Sequence, residues 1–253
     1  MFAHAYLQEL GNGRLGMEET LIRKEMERRG IPVTLFTMKK ILRRQLPLGE
    51  TTFIAGDMDV MHGAMQQLRI PVPVPNDYPA CLKRYLHRHV WRSTLGDVER
   101  RLMEGDGHAV FVKPAERRKS FTGRAFSVPQ DFEGMGHLSR RQEVWCAELV
   151  AWRSEYRVYV IGAEIVAIAW YEGDRTVSVD RIVVEAALAD YGAAGEAPAA
   201  YAIDFGVLET GETALVEAND GYSVGAYEIA PEQYAEMVQV RWRELLGRCG
   251  TAE

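Results

Sequence analysis

The chain has 253 residues, 47% of them hydrophobic and 26% charged, with a formal charge of −6. That length buries a substantial core as one large domain or two to three small lobes, and the acidic balance excludes a surface that coats nucleic acid generally. Cys81, Cys146 and Cys249 form no CxxC pair, and no apolar stretch reaches membrane-spanning length, so a cytoplasmic protein with free thiols is expected.

In chain order, "AHAYLQEL" reads as a short strand and "MEETLIRKEMERRG" as a helix. Leu21, Ile22 and Met26 form the helix's apolar stripe, acids crowd its first turn, and Gly30 stops it. "IPVTLF" and "TTFIAG" are further strands, and "DMDVMHGAMQQLR" is a helix opened by Asp57. This β-α-β-β-α pattern suggests a small open α/β unit. "IPVPVPNDYP", with four prolines in ten residues, is a stiff linker. Helices are expected over Ala80–His89 and Ser93–Glu104, followed by the strand "HAVFVKP" and the basic loop "AERRKSFTGRAFSV". "EYRVYVI" and "EIVAIAWY" flank Gly162–Ala163 as a hairpin. An Ala-rich helical segment follows, then "AYAIDFGVLE" and "TALVEAND" as antiparallel strands joined by "TGE", and a closing amphipathic helix "PEQYAEMVQVRWRELLGR".

Three motifs lose their sharper readings on context. Gly11–Gly16 spells G-x-G-x-x-G, yet the next strand ends Leu35–Phe36–Thr37 without the acid a dinucleotide ribose needs, so it reads as a glycine-rich turn. Asp204–Phe205–Gly206 spells a kinase triplet, but no H-R-D loop lies between Lys113 and Asp204. His87 and His89 would point apart on a helix and lack further zinc ligands.

Asp204, Glu217 and Asn219 carry more weight. Glu217 and Asn219 share a strand face, and a paired strand brings Asp204 to it. Three such oxygen donors suit a hard cation such as Mg²⁺ together with phosphate. A solvent-facing polar strand is the alternative, but the apolar context demands partners for these carboxylates. Asp220 falls on the other face by the same alternation and stays out of the set. Lys113, at the end of "VFVKP", suits a phosphate oxygen, Arg157 lies inside an apolar strand, and the loop Arg117–Arg124 has the composition of a flap over polyphosphate.

Taken in order, these pieces resemble the ATP-grasp superfamily of carboxylate–amine ligases, from about Asp77 to the end. "VFVKP" is similar to the strand whose lysine contacts ATP, and "VWCAELVAW" to the hinge that carries adenine, with Glu148, Leu149 and Val150 at the lining positions. "SEYRVYVIGAEIVAIAWY" is similar to the hairpin whose arginine, here Arg157, contacts phosphate. "YAIDFGV…TALVEANDGYSVGAYEI" resembles the metal-binding strands, with Asp204, Glu217 and Asn219 as Mg²⁺ ligands. Length, "NDYP" and "SEYRVYV" look most like a clade of small bacterial and phage ATP-grasp proteins associated with joining peptides or modifying proteins. The chain departs from the family pattern in the bulky loop "ERRKSFTGRAF", where Lys119 stands as a cofactor contact, and in its first lysine, for which Lys83 is the nearest candidate.

The resemblance implies an α/β (α+β) protein. A short α/β domain over 1–75 would precede an ATP-grasp fold of two α+β lobes, 76–147 and 148–253. It implies an ADP-forming, C–N-bond-forming ligase with ATP and Mg²⁺ as cofactors. Lys113 and Arg157 would be catalytic, and the partners would be small-molecule or peptide carboxylates and amines, with no nucleic acid or membrane. Arg181, next to Asp180, is a candidate substrate contact. A non-catalytic ATP-binding module and a small-molecule kinase remain alternatives for the same nucleotide site.

Overall fold

The computed structural model describes residues 2–105, 107–116 and 120–247 and gathers them around three sheets. The first is parallel. Its order is β2-β1-β3, from β1 (His4–Gln8), β2 (Val33–Phe36) and β3 (Thr52–Ala55). Helix α1 (Met17–Arg28) connects β1 to β2 and buries Ile22 and Met26, while Leu21 is only partly covered. A five-residue helix, α2 (Met38–Leu42), lies between β2 and β3. Nothing in the sequence foretold α2, because one helical turn is too short to show a period. Helix α3 (Met58–Gln67) follows β3, and Asp57 caps it by accepting the Val60 amide at 2.9 Å. The G-x-G-x-x-G stretch is a turn closed by a Gly11–Arg14 bridge.

The middle sheet is antiparallel with order β4-β7-β5-β6, from β4 (Val90–Thr94), β5 (Val110–Pro114), β6 (Arg124–Phe126) and β7 (Glu143–Glu148). Two expected helices are corrected here. Ala80–His89 is a 3-10 turn over Ala80–Tyr85, broken before His89 by the left-handed backbone of His87 at φ 48°. Ser93 belongs to β4, whose Val-Trp-Arg-Ser-Thr composition favours a strand. Helix α4 (Leu95–Met103) starts only after Thr94, which caps it. Leu95, Val98 and Leu102 of α4 pack on Val112, Val144 and Cys146 as a core of their own.

The last sheet is antiparallel with order β11-β10-β8-β9. β8 (Trp152–Ile161) and β9 (Glu164–Gly173) form the expected hairpin, and β10 (Ala200–Leu208) pairs with β11 (Thr213–Asp220) as expected. Helix α5 (Arg181–Ala193) covers one face together with Leu82, Tyr85 and Leu86 of the 3-10 segment and the residue after it. Helix α6 (Pro231–Gly247) covers the other face, where Tyr159, Ala200 and Ala202 join the core of the first sheet. Trp242 of α6 is fully buried there and donates its indole N–H to the Thr52 carbonyl at 3.0 Å. The first and last sheets therefore share one core, the last sheet builds a second with α5, and the middle sheet has its own.

The β10–β11 ladder contains one irregularity. Asp204 opposes Glu217 while Phe205 opposes Leu215, so Val216 is an extra residue, a β-bulge. Without it, Leu215 and Glu217 would face the same way. With it, Leu215 joins the core under α5 and Glu217 joins Asp204 on the opposite face.

Among the described residues Cys81 and Cys146 are free thiols, and no helix is long and apolar enough to cross a membrane. Cys249 lies outside the described residues.

Trp242→Ala opens a cavity between the first and last sheets. In urea denaturation it is expected to cost about 3–5 kcal/mol, with both sheets still unfolding in one transition because they share that core.

Candidate functional site

Asp204 stands in the middle of β10, directly opposite Arg157 on β8 and Glu217 on β11. Directly opposed residues present their side chains on one face, so three charged groups form a row across three strands. Arg157 holds Asp204 with two parallel bonds, Nε to Oδ1 at 2.8 Å and Nη2 to Oδ2 at 2.7 Å, and both side chains are buried. This fork-to-fork geometry is the strongest form of the pair. Asn219 extends the row. Its amide Nδ2 lies 3.3 Å from both Asp204 Oδ2 and Glu217 Oε1.

Lys113 reaches this row from the middle sheet. Its ammonium pairs with Glu217 and, at 2.6 Å, with Asp77 of the proline-rich linker. Burial alone would raise the Glu217 carboxyl, but Lys113, Asn219 and Arg157 outweigh it and hold it below its ordinary 4.5. Burial works against the Lys113 ammonium, and Glu217, Tyr78 and Asp77 more than compensate, so its pKa is raised. At Asp204 burial pushes the carboxyl up, Arg157 pulls it back, and Glu217 adds to the rise. Three carboxylates thus share the two cations Lys113 and Arg157, and further positive charge is electrostatically welcome.

The donor chemistry fits a divalent cation with help. Among the described residues no three His, Cys, Asp or Glu side chains gather closely enough to hold a metal alone. Asp204 and Glu217 supply two carboxylates, and the amide of Asn219 bridges them. Amide O and N exchange places by a simple flip, so its oxygen is available to the same point. Such a set leaves positions for water and phosphate oxygens, the pattern typical of Mg²⁺.

The row opens on a cavity of about 740 Å³. Phe111, Lys113, Thr122 and Gly123 line it from the middle sheet, and Glu217 and Asn219 from the last. Gly123 lets the chain pass close there, since a Cβ would stand 2.7 Å from the Phe111 ring and 3.0 Å from Lys113 Cβ. Likewise a Cβ on Gly221 would meet the Ala200 carbonyl oxygen at 2.4 Å, which is how the chain after β11 folds back so tightly. That returning loop is pinned by Arg157 and Tyr159, which donate to the Gly225 carbonyl, and by Glu18 of α1, which accepts the Ala226 amide at 3.1 Å.

The remaining sequence candidates scatter. Glu148, Leu149 and Val150 do form the joint between β7 and β8. The Glu148 carboxylate, however, accepts the His89 amide at 2.8 Å and borders a separate cavity beside α4. Lys83 is exposed on the 3-10 turn and does not line the cleft. Arg181 is exposed at the start of α5, where it pairs with Glu185 one turn on, and it too is absent from the cleft; an isolated surface cation has a nearer partner along its own helix. Asp180 caps α5. Lys119, with Arg117 and Arg118, lies outside the described residues. Asp220 is held by Arg241 with two bonds of 2.7 Å.

Residues the sequence did not flag complete the site. Asp77 and Tyr78 come from the linker. Arg88 donates to the Leu215 and Val216 carbonyls at 2.7 and 3.0 Å, satisfying acceptors freed at the bulge. A signal for the bulge was present: apolar Leu215 and acidic Glu217, two apart, cannot both suit one face of a regular strand.

A family model for an ATP-grasp domain, described as family 2 of its clade, matches residues 85–237. Among curated proteins none matches the chain by sequence. Among solved structures, D-alanine–D-alanine ligase from Bacillus anthracis complexed with ATP is 14% identical. It superposes with a TM-score of 0.54, covering 98% of this chain and 96% of that one. The macrocyclase MdnC from Microcystis aeruginosa MRC, bound with precursor peptide MdnA, is 11% identical with a TM-score of 0.53, covering 94% and 99%. The ATP-grasp ligase PsnB, complexed with a phosphomimetic variant of its minimal precursor, Mg and ADP, is 12% identical with a TM-score of 0.51, covering 98% and 100%. At these identities the likeness is one of fold.

Two outcomes follow from the ion pairs. Arg157→Met strands the Asp204 carboxylate and is expected to cost about 3–5 kcal/mol by chemical denaturation, whereas the double variant Arg157→Met/Asp204→Leu recovers most of that loss. The lowered Glu217 carboxyl contributes stability that is complete above its ordinary 4.5 and is lost as pH falls through the lower folded value. Lys113→Met removes the cause, so in acid-unfolding titrations its deficit relative to the unmodified protein is largest near neutrality and shrinks in acid.

Proposed function

The chain belongs to the ATP-grasp superfamily, within the clade family whose model it matches, and from that premise we propose that it is an ATP- and Mg²⁺-dependent ligase joining a carboxylate to an amine through an acyl phosphate. One observation carries the reading: the cross-strand row Arg157–Asp204–Glu217, extended by Asn219 and met across the cleft by Lys113. A site with no role for charge has no reason to bury this set.

In this reading residues 1–75 precede two lobes, 76–147 and 148–253, and the nucleotide lies between the lobes with its base toward the Glu148–Val150 joint. Asp204, Glu217 and Asn219 would hold Mg²⁺, which when bound would supply charge to offset that of the phosphates. Lys113 leaves Glu217 for a phosphate oxygen. Arg157 keeps Asp204 oriented and adds positive potential where charge builds up. The substrate carboxylate oxygen attacks the γ-phosphorus as the bond to ADP breaks. The amine nitrogen then attacks the acyl carbon, phosphate departs, and the amine proton passes to a base. Positioning and charge neutralisation supply the catalysis, with no side-chain nucleophile.

A second cavity of about 310 Å³ adjoins the cleft at Ser223 and is lined by Glu18, Glu19 and Asp57. Burial pushes the Glu19 carboxyl up, its own backbone amide pulls it back, and Glu18 and Asp57 add to the rise. Acidic walls favour a cationic amine, and a carboxylate of raised pKa suits its proton. The reading places the amine there. A peptide as one substrate is supported by the precursors held by MdnC and PsnB.

The test is ADP release with MgATP and a panel of carboxylates and amines, with product mass read alongside. Turnover should fall at least about 100-fold in Asp204→Asn and in Glu217→Gln. Full activity in both would remove the metal assignment, and a stable phosphorylated product would replace the ligase with a kinase.

A further inference from the structure

The proline-rich linker enters the cleft. Pro73, Pro75 and Asp77 line its cavity, and the Asp77 carbonyl accepts the Ala218 amide at 2.8 Å, beside Glu217. The Asp77 carboxylate sits 2.6 Å from the Lys113 ammonium. The Tyr78 ring follows directly, with its centroid 4.7 Å from that ammonium and 4.9 Å from the Trp145 ring, edge-on. Trp145 opposes Lys113 across the β5–β7 ladder, so both project from the same face of the middle sheet. The Trp145 indole N–H is buried with no hydrogen-bond partner among the described residues.

These contacts have the chemistry of a nucleotide. An anion lies on the lysine, a planar ring lies beside it against a tryptophan, and the indole N–H of that tryptophan is unsatisfied among the described residues. Asp77 already shares the buried Lys113 ammonium with Glu217, so a phosphate oxygen would be a third anion on it, against strong like-charge repulsion. A planar base set beside Trp145 would contend with Tyr78 for that place.

Resting on the ligase reading above, we infer that Asp77 and Tyr78 are a tethered competitor of the nucleotide. They occupy its contacts on Lys113 and beside Trp145, and nucleotide binding displaces them. A tether keeps the competitor at high effective concentration, so the plug lowers apparent nucleotide affinity without being part of the bound complex. The linker's far end is held at Ile70 in the core of the first sheet, so plug displacement pulls on the unit that the reading gives to substrate.

The experiment is calorimetric titration of the full chain with MgATP and with MgADP, alongside ADP release. Asp77→Asn keeps the backbone acceptor and removes the anion, and Tyr78→Leu removes the ring while keeping its bulk. Each is expected to bind both nucleotides about 5–10-fold more tightly than the unmodified chain, with cooperative thermal melting retained. Because the two variants alter different residues, misfolding of one leaves the other to decide. Unchanged or weaker binding in the folded variants overturns the plug and makes the pair ordinary nucleotide contacts. Tighter binding without any ADP release supports the plug and overturns only the ligase reading. No nucleotide binding by any form overturns both.

Discussion

One extra residue sets the polarity of the last sheet. Val216 has no counterpart on β10, and the half-turn it adds separates two demands that a regular strand could not meet together. Before it, Leu215 must face the α5 core; after it, Glu217 must face the cleft beside Asp204. A bulge leaves carbonyls without ladder partners, and Arg88 supplies donors for those of Leu215 and Val216 from a segment more than a hundred residues earlier. The Arg157–Asp204 fork lies just beyond the bulge, where the two carboxylates need close control of distance. Irregularity in the backbone thus serves regularity in the site.

What the sequence disclosed follows from range. Asp204, Glu217 and Asn219 stood out because polar groups inside apolar strands are costly and thus conspicuous. Lys113 and Arg157 stood out for the same reason, and the β8–β9 and β10–β11 pairings were legible because short turns join them. The Arg157 fork on Asp204 was hidden because it depends on the β8–β10 register, between strands far apart in sequence. β4 was hidden between two stretches read as helix, because five residues carry too little periodicity and the left-handed turn at His87 has no compositional mark. Asp77, Tyr78 and Arg88 were missed because their importance lies in contacts made far along the chain. Lys83 and Arg181 lie away from the cleft; a surface cation looks the same in sequence whether or not a cleft is near.

The three hydrophobic cores divide the chain differently from the three sheets. Helix α6 is packed between the first and last sheets, and Trp242 ties it to β3. The parallel sheet alone is too small to bury its own faces and completes itself on the last sheet. The Asp204–Glu217 pair and the acidic second cavity are therefore fixed relative to one another, while Lys113 belongs to a separately packed body.

That separate body meets the rest of the chain at a narrow joint. Where the chain enters β4 and where it leaves β7, His89 and Glu148 are bonded to each other twice, Glu148 N–H to His89 C=O at 3.0 Å and His89 N–H to the Glu148 carboxylate at 2.8 Å. The two crossings are thus stitched side by side like the spine of a book. Lys113 lies three residues along β5 from Val110, the partner of Glu148, or about 10 Å from that spine. A swing of about 10° therefore carries its ammonium about 2 Å, enough to part it from a carboxylate now 2.6 Å away. A small angle at the spine would therefore be enough to break that ion pair at the page's edge.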